Sequence, residues 1–367
     1  MRLRTLEITR FRNYYQQRFE PCTALNVIIG DNAQGKTNII EAIYLACTGR
    51  SFRAKRDSEM IMWDEGYSQI RALFETAGQE LEVWIHLSEG QKKIQVNGSQ
   101  SKGFPFGWPG VVLFTPDDLN IIKGYPQIRR GFLDTEIGAL NNQYSYTLNR
   151  YQRVLQQRNN LLKEAREGRK DAASLATWNK QFSLYGSRII SIRLILLKKL
   201  NQTVTRIYRQ LTEGNEETGF RYSSSIKIKK GMEEQEIAAL FGCFIKENER
   251  EEIQRGQSII GPHRDDIIFL INEKEARTYG SQGQQRSLIL ALKLALLKMW
   301  YNETREYPIL LLDDVLSELD NQRQRELMRI ISSDTQTFIS SSNFSDINTD
   351  VVMEKSNFQV KKGEIIS

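Results

Sequence analysis

One stretch near the N-terminus narrows the possible folds more than any other. Leu25-Asn26-Val27-Ile28-Ile29 reads as a strand, Gly30-Asp31-Asn32-Ala33-Gln34-Gly35-Lys36-Thr37 follows it, and an apolar segment reading as helix runs from Thr37 to about Cys47. Strand, glycine-bounded loop and helix start, in that order, are the context of a phosphate-binding loop, and the residues fit the Walker A pattern without a mismatch. Gly30 and Gly35 let the backbone wrap close to phosphate oxygens. The helix start offers unpaired N–H groups and the positive end of a dipole, Lys36 adds a point charge, and Thr37 supplies an oxygen to Mg2+. The expectation is a nucleoside triphosphate site built from Gly30 to Thr37.

Ile309-Leu310-Leu311-Leu312-Asp313-Asp314 is an aliphatic run ending in two carboxylates. Four aliphatic residues in succession fit a strand buried on both faces, and such a strand ends at the ligand-binding edge of its sheet. Asp313 would then hold Mg2+, directly or through water, and Asp314 would act as base or orienting group for the attacking water. An aliphatic strand with a polar exit is common, so this motif draws its meaning from the phosphate loop. Ser281-Gln282-Gly283-Gln284-Gln285-Arg286 stands before a helix ending near Trp300, with Ser281 as N-cap and Gly283 permitting an anion to approach the helix start. Alone it is explained as a capped helix. In Ser317-Glu318-Leu319-Asp320, Asp320 is placed to cap a helix from Asn321 to Ile331.

Composition removes other chemistries. Two histidines, His86 and His263, cannot make a multi-histidine metal centre, and Cys22, Cys47 and Cys243 have no CxxC spacing. Catalysis must rest on Lys, Asp, Glu, Ser or backbone. Apolar runs such as Leu194 to Leu197 are far shorter than the ~20 residues of a membrane span. The N-terminus alternates like a strand rather than a secretory signal, so the expected location is the cytoplasm, with no membrane partner. The net charge of +6 is unevenly spread: residues 1–122 hold 14 basic and 14 acidic side chains, 123–212 hold 17 and 5, and 213–367 hold 20 and 26. So basic a middle segment points to a polyanion, a solvated helical surface being the competing explanation.

Strands are expected at Leu3 to Phe11, Leu25 to Ile29, Leu81 to Leu87 and Lys93 to Val96, the last ending in an Asn97-Gly98 turn. From about Asp117 to Leu211 the period becomes helical. Tyr151, Val154, Leu155, Leu161 and Leu162 share one face, and Trp178, Phe182, Tyr185, Ile189, Ile192, Leu196, Leu200, Val204, Ile207 and Leu211 recur at steps of three and four. Two long helices joined through the polar stretch Glu167 to Ser174 would pack their stripes as an antiparallel pair. A polar linker, Glu213 to Gly219, leads back to mixed structure, with a strand near Ile267 to Ile271. The architecture this implies is an α/β head made of residues 1–122 and 250–367, with residues 123–249 inserted as a helical arm.

Several segments then occur in a distinctive order: Phe11-Arg12-Asn13-Tyr14, the Walker A loop, Gly49-Arg50-Ser51-Phe52-Arg53, Phe114-Thr115-Pro116-Asp117-Asp118, Arg129-Arg130-Gly131-Phe132-Leu133-Asp134, Gly261-Pro262-His263-Arg264-Asp265-Asp266 and Ser281 to Arg286. From about residue 2 to residue 343 this succession resembles the RecF family of bacterial DNA replication and repair ATPases, relatives of the heads of SMC proteins. Ser281-Gln282-Gly283 resembles the signature of the wider ABC-type ATPases and Ser317 to Asp320 their D-loop. The resemblance implies an ABC-type P-loop head that binds ATP and Mg2+, dimerises on ATP with the signature of one subunit meeting the γ-phosphate held by the other, binds double-stranded and gapped DNA, hydrolyses ATP slowly, and works with RecR and RecO to help RecA load.

It also implies nucleotide contacts for Arg12 and Asn13, for which a surface hairpin is the alternative. The switch position that is histidine in ABC transporters falls in Ile339-Ser340-Ser341-Ser342-Asn343, where Ser342 takes that place; no Q-loop glutamine can be assigned. Arg50, Arg53, Lys55 and Arg56 beyond the phosphate-loop helix, and Lys163, Arg166, Arg169 and Lys170 on the arm, are candidate DNA contacts, with solvated surface as the alternative. His263 and Arg264 fit either a place at the nucleotide or dimer interface or a structural turn, and His86, in an alternating strand, reads as structural. A structural chromosome organiser and a transporter ATPase share these motifs; the basic arm, the missing switch histidine and the long separation of Thr37 from Ser281 disfavour the transporter, and Asp314 alone disfavours the organiser.

Overall fold

The structure, a computed structural model, describes residues 1–101, 109–169, 175–229, 231–316, 319–331, 334–342 and 354–366. The strands are β1 (Arg2–Phe11), β2 (Tyr14–Phe19), β3 (Leu25–Ile29), β4 (Tyr67–Thr76), β5 (Gln79–Ser88), β6 (Gln91–Val96), β7 (Ser99–Ser101), β8 (Val111–Phe114), β9 (Thr218–Ser223), β10 (Asp266–Ile271), β11 (Lys274–Glu275), β12 (Ile309–Asp313), β13 (Thr337–Ser341), β14 (Lys355–Lys361) and β15 (Glu364–Ile366). The helices are α1 (Lys36–Thr48), α2 (Asn120–Lys123), α3 (Pro126–Leu140), α4 (Asn142–Arg166), α5 (Leu175–Leu211), α6 (Glu234–Arg255), α7 (Ala276–Tyr279), α8 (Gln282–Thr304) and α9 (Asn321–Ile330). The class is α/β.

Two compact units emerge, Met1–Asp118 with Gln210–Glu213 and Arg286–Ser367, and Leu119–Arg209 with Gly214–Gln285. The limits of the expected head and arm, 122/123 and 249/250, are not those of the units. The stretch before and into β10 is tied to helices of the second unit: Arg129 of α3 pairs with Asp266, and Arg193 of α5 donates to the Pro262 carbonyl at 2.8 Å. These long-range polar bonds leave no mark in local composition.

In the first unit, β2-β1-β4-β5-β6-β7 form an antiparallel sheet and β15-β14-β3-β13-β12-β8 a second sheet whose β14, β3, β13, β12 and β8 run parallel. Helix α1 touches strands of both sheets, which explains why a helix of thirteen residues buries nine of them, Ile39, Ile40, Ala42, Ile43, Leu45 and Ala46 included. β12 and β13 are buried along their whole length, as expected of central parallel strands. The Asn97-Gly98 turn joins β6 to β7 with both residues at positive φ.

In the second unit, Arg158 of α4 bonds Asn179 of α5, Tyr151 stacks on Phe182, and Arg193 bonds Tyr144. As the numbers rise on α5 they fall on α4, so the helices are antiparallel, as their apolar stripes imply. Of their connection, residues 170–174 lie outside the described residues. The reading of Glu213 to Gly219 as linker is corrected at its end, since β9 begins at Thr218 and pairs antiparallel with β10. Helix α6 is an addition to the expected elements: Ile237, Phe241 and Ile245 make a buried stripe along its first half, the buried residue of its second half is Glu252, and a capping box at Glu233 and Glu236 starts it.

Candidate functional site

The phosphate loop runs from the end of β3 into α1. Gly35, the N-cap, sits at φ 121°, and no side chain caps the helix, so its first N–H groups remain available to an anion. A Cβ on Gly30 would collide with the Val360 carbonyl oxygen, and one on Gly35 with the side chains of Asn13 and Tyr14. Ala33 also lies at positive φ; Asp31, Asn32 and Ala33 are exposed and Gln34 is half-buried. Lys36 is buried, and its Nζ donates to the carbonyls of Gly30 at 2.5 Å and Asp31 at 2.9 Å. Burial lowers its pKa, opposed by the charges of Asp314, Asp313 and Asp31.

Parallel register brings the second half of the site to the same sheet edge. Ser341 of β13 lies opposite Ile29 of β3, and Ser340 opposite Asp313 of β12. Thr37 Oγ1 donates to Asp313 Oδ1 at 3.0 Å, and Ser340 Oγ donates to the same oxygen at 2.7 Å while accepting from the Asp314 N–H at 2.9 Å. Burial raises the Asp313 pKa, and the two hydroxyl donors pull it back. Asp314 is exposed and held at φ 54°, in the left-handed region that aspartate tolerates better than most non-glycine residues. Ser342, half-buried, follows β13 directly.

Arg12 and Asn13 flank the loop in different ways. The Arg12 guanidinium pairs with Glu41 of α1 through Nε and Nη2, at 2.9 and 2.8 Å, while Nη1 donates to the Glu59 carbonyl. Asn13 Nδ2 donates to the Gln34 carbonyl at 2.9 Å, and its Oδ1 accepts from Asn38 at 2.8 Å. Both residues thus support the loop and α1 through side chains. Sequence reasoning missed Ser340 and Glu41; a glutamate on an otherwise apolar helix, needing a cation once buried, was the available signal for the second.

Ser281 Oγ accepts from the Gln284 N–H and Gln284 Oε1 from the Ser281 N–H, a capping box at the start of α8; Ser281 and Gln282 are exposed and Gly283 is half-buried. Asp320 Oδ1 accepts from the Arg323 N–H at 2.8 Å and caps α9. Ser317 and Glu318 lie outside the described residues, as do Asn343 and Lys170. Arg50, Arg53, Lys55 and Arg56 are exposed, and Arg53 Nη1 bonds Asn38 Oδ1 at 3.1 Å. On α4 and just past it, Lys163, Arg166 and Arg169 are exposed, and Glu167 pairs with both arginines.

The His263 ring is tied to its surroundings through both nitrogens. Its Nε2 faces the Ser258 carbonyl, which can only accept, so Nε2 carries the proton and Nδ1 accepts from the Tyr151 hydroxyl at 2.6 Å. Burial lowers its pKa to about 4. Arg264 donates to the same carbonyl, and buried Asp265 accepts from Tyr222, Ser225 and Ser224. His86 stacks between Tyr67 and Trp84. Among the described residues no helix is long and apolar enough to cross a membrane, and no three His, Cys, Asp or Glu converge to hold a metal ion.

A family model described as an AAA domain matches residues 5–324. A DNA replication and repair protein RecF from Pelotomaculum thermopropionicum is 49% identical over 366 residues, covering all of both chains. A solved structure of the recombination mediator protein RecF with ATP, of the RecFOR pathway, superposes with a TM-score of 0.91 at 34% identity, covering 99% of this chain and 96% of that one. A structure of an Smc head bound to the C-terminal winged-helix domain of ScpA, at 15% identity and a TM-score of 0.58 over 100% of this chain and 98% of that one, shares the fold.

Proposed function

The chain belongs to the RecF family of DNA replication and repair proteins, and on that premise we propose that it is an ATP-switched DNA-binding protein. Two copies close on ATP, hold double-stranded DNA near a gap, and release it on slow hydrolysis, which assists RecA loading together with RecR and RecO. The observation that supports this most is the meeting of Thr37, Asp313 and Ser340 beside an uncapped, glycine-bounded helix start.

In this reading Lys36 and the loop N–H groups of Gly30 to Thr37 bind the phosphates, Lys36 exchanging loop carbonyls for phosphate oxygens. Thr37 and Asp313 would hold Mg2+; a hydroxyl and a buried carboxylate suit a hard cation, whose charge would offset that of the phosphates. Asp314, exposed beside them, orients the attacking water and takes its proton. Ser342 stands at the switch position. Ser281, Gln282, Gly283 and Asp320 of a second copy complete the site, so ATP joins the subunits. Arg50, Arg53, Arg56, Lys163, Arg166, Arg169 and Lys170 contact DNA phosphates, a term that is salt-dependent and blind to sequence.

Sedimentation of the protein with ATP, ADP or no nucleotide, each with duplex, single-stranded and gapped DNA, tests the proposal. The expected result is a dimer with ATP alone among the nucleotide conditions, and duplex binding that follows the dimer. A monomer in every state, or equal DNA binding with ATP and ADP, overturns it.

A further inference from the structure

The end of the chain lies against the phosphate loop, and nothing in the nucleotide site as described uses it. β14 pairs in parallel with β3, Gln359 opposite Ile29, and turns back into β15 through Lys362 and Gly363, both at positive φ. That turn meets Gln34: the Lys362 N–H donates to Gln34 Oε1 at 2.7 Å, and the Gly363 N–H to the Gln34 carbonyl at 3.0 Å. The same carbonyl accepts from Asn13 Nδ2 at 2.9 Å. The approach is close enough that a Cβ on Gly363 would collide with the Asn13 carbonyl.

The Gln34 carbonyl and the Gly35 N–H belong to one peptide unit. That unit is planar, and in the trans form its N–H points opposite its C=O. Two donors that fix the carbonyl therefore fix the direction of the Gly35 N–H, at the turn of a loop whose next residue, Lys36, starts the helix. Donors on the carbonyl also polarise the amide and make its N–H a better donor to an anion. We infer that the C-terminal hairpin is a positioning device for ATP: with Asn13 it holds the Gln34–Gly35 peptide so that the Gly35 N–H is aimed at phosphate before the nucleotide arrives. The inference rests on the proposed ATP site and adds to it that the far end of the chain sets its affinity. By linkage, ATP in turn tightens the hairpin, and whatever engages residues 355–366 changes ATP affinity.

The test measures the dissociation constant for a fluorescent Mg-ATP analogue, the melting curve, and hydrogen exchange of the Lys362 and Gly363 amides, all on full-length protein. Gly363→Ala, strained at φ 77° and crowded, should weaken binding about ten-fold, and Gln34→Leu, which removes only the Lys362 acceptor, about three-fold. Asn357→Thr, at an exposed position of β14 outside the turn, changes no charge and none of these bonds, so its affinity should stay within about two-fold of wild type. Mg-ATP should slow exchange at both amides in wild type and not in Lys36→Ala. If Gly363→Ala fails to fold, Gln34→Leu and the exchange data still decide. Unchanged affinity in both Gly363→Ala and Gln34→Leu, or exchange indifferent to bound ATP, overturns the inference alone, and so does an Asn357→Thr defect as large as that of Gly363→Ala. Failure of wild type to bind ATP overturns the ATP reading and the inference together.

Discussion

Ser340→Ala isolates one hydroxyl on which two parts of the site depend. Ser340 is 1% exposed; its Oγ donates to Asp313 and accepts from the Asp314 N–H. A hydrogen bond to a charged group is worth roughly 1.5–3 kcal/mol, or about one to two decades in an equilibrium constant. Removing the donor raises further the already raised Asp313 pKa, so the ionised form that would hold Mg2+ is populated only at higher pH. Removing the acceptor takes from the Asp314 N–H its bond to Ser340 Oγ, a tie on the backbone of the residue proposed to orient water. The expected outcome is an ATPase needing about ten-fold more Mg2+ for half-maximal rate, a turnover lowered about 10- to 100-fold, and an acid limb of the pH–rate profile shifted upward. The assay is phosphate release against Mg2+ at fixed ATP, repeated across pH, with urea denaturation alongside. Ser340→Thr, which keeps the hydroxyl, should recover most of the Mg2+ dependence. An Ala variant that is less stable yet has the wild-type Mg2+ midpoint and pH profile would refute the reasoning, because its hydroxyl would then serve packing alone.

Asp314→Asn should keep Mg-ATP binding, since Asp313 and Thr37 are intact, while turnover falls sharply and the ATP dimer persists in sedimentation; normal turnover would show the water-orienting group misassigned. Replacing Lys163, Arg166 and Arg169 by Gln should reduce the slope of log affinity for duplex DNA against log salt by about two, less than the full charge because Glu167 already pairs with both arginines. His263 is neutral in the fold with a pKa near 4, against about 6.5 when unfolded, so the unfolded chain binds the extra proton between those values. Stability from this group is complete above pH ~6.5 and should fall by roughly 3 kcal/mol as pH drops towards 4, a loss that His263→Asn should flatten in urea titrations at several pH values.

The parts of this site that the sequence displayed are those made by neighbours in the chain. Gly30 to Thr37 needs only its own strand and helix, and the aliphatic run before Asp313 and Asp314 announces a central strand because burial on both faces demands it. The capping box at Ser281 is equally local. Hidden were the pairings across the fold. Ser340 reaches Asp313 because β13 and β12 are adjacent in register, and Gly363 reaches Gln34 because β14 flanks β3. Strand order of this kind has no signature within any one segment. The unit boundary near Arg286 was hidden for a related reason: buried Arg193 and the Arg129–Asp266 pair bind β10 and the loop before it to α3 and α5 through contacts far apart in sequence.

Arg12 and Arg53 show how the same arginine pattern can mean different things once partners are known. From sequence, Arg12 was aimed at the nucleotide and Arg53 at DNA. In the fold both converge on α1: Arg12 makes a two-pronged pair with fully buried Glu41, and Arg53 lies 3.9 Å from the same carboxylate and bonds Asn38. Asn38 in turn bonds Asn13, which supports the Gln34 carbonyl, and the Arg53 charge helps hold down the Asp313 pKa. A substitution at Arg53 therefore disturbs the loop, the helix and the carboxylate at once, and a loss of DNA binding in that variant could come from the nucleotide side. Arg50 and Arg56 carry exposed charges with no such ties among the described residues, so they are the positions at which phosphate contact by this edge of the head can be read separately from ATP chemistry.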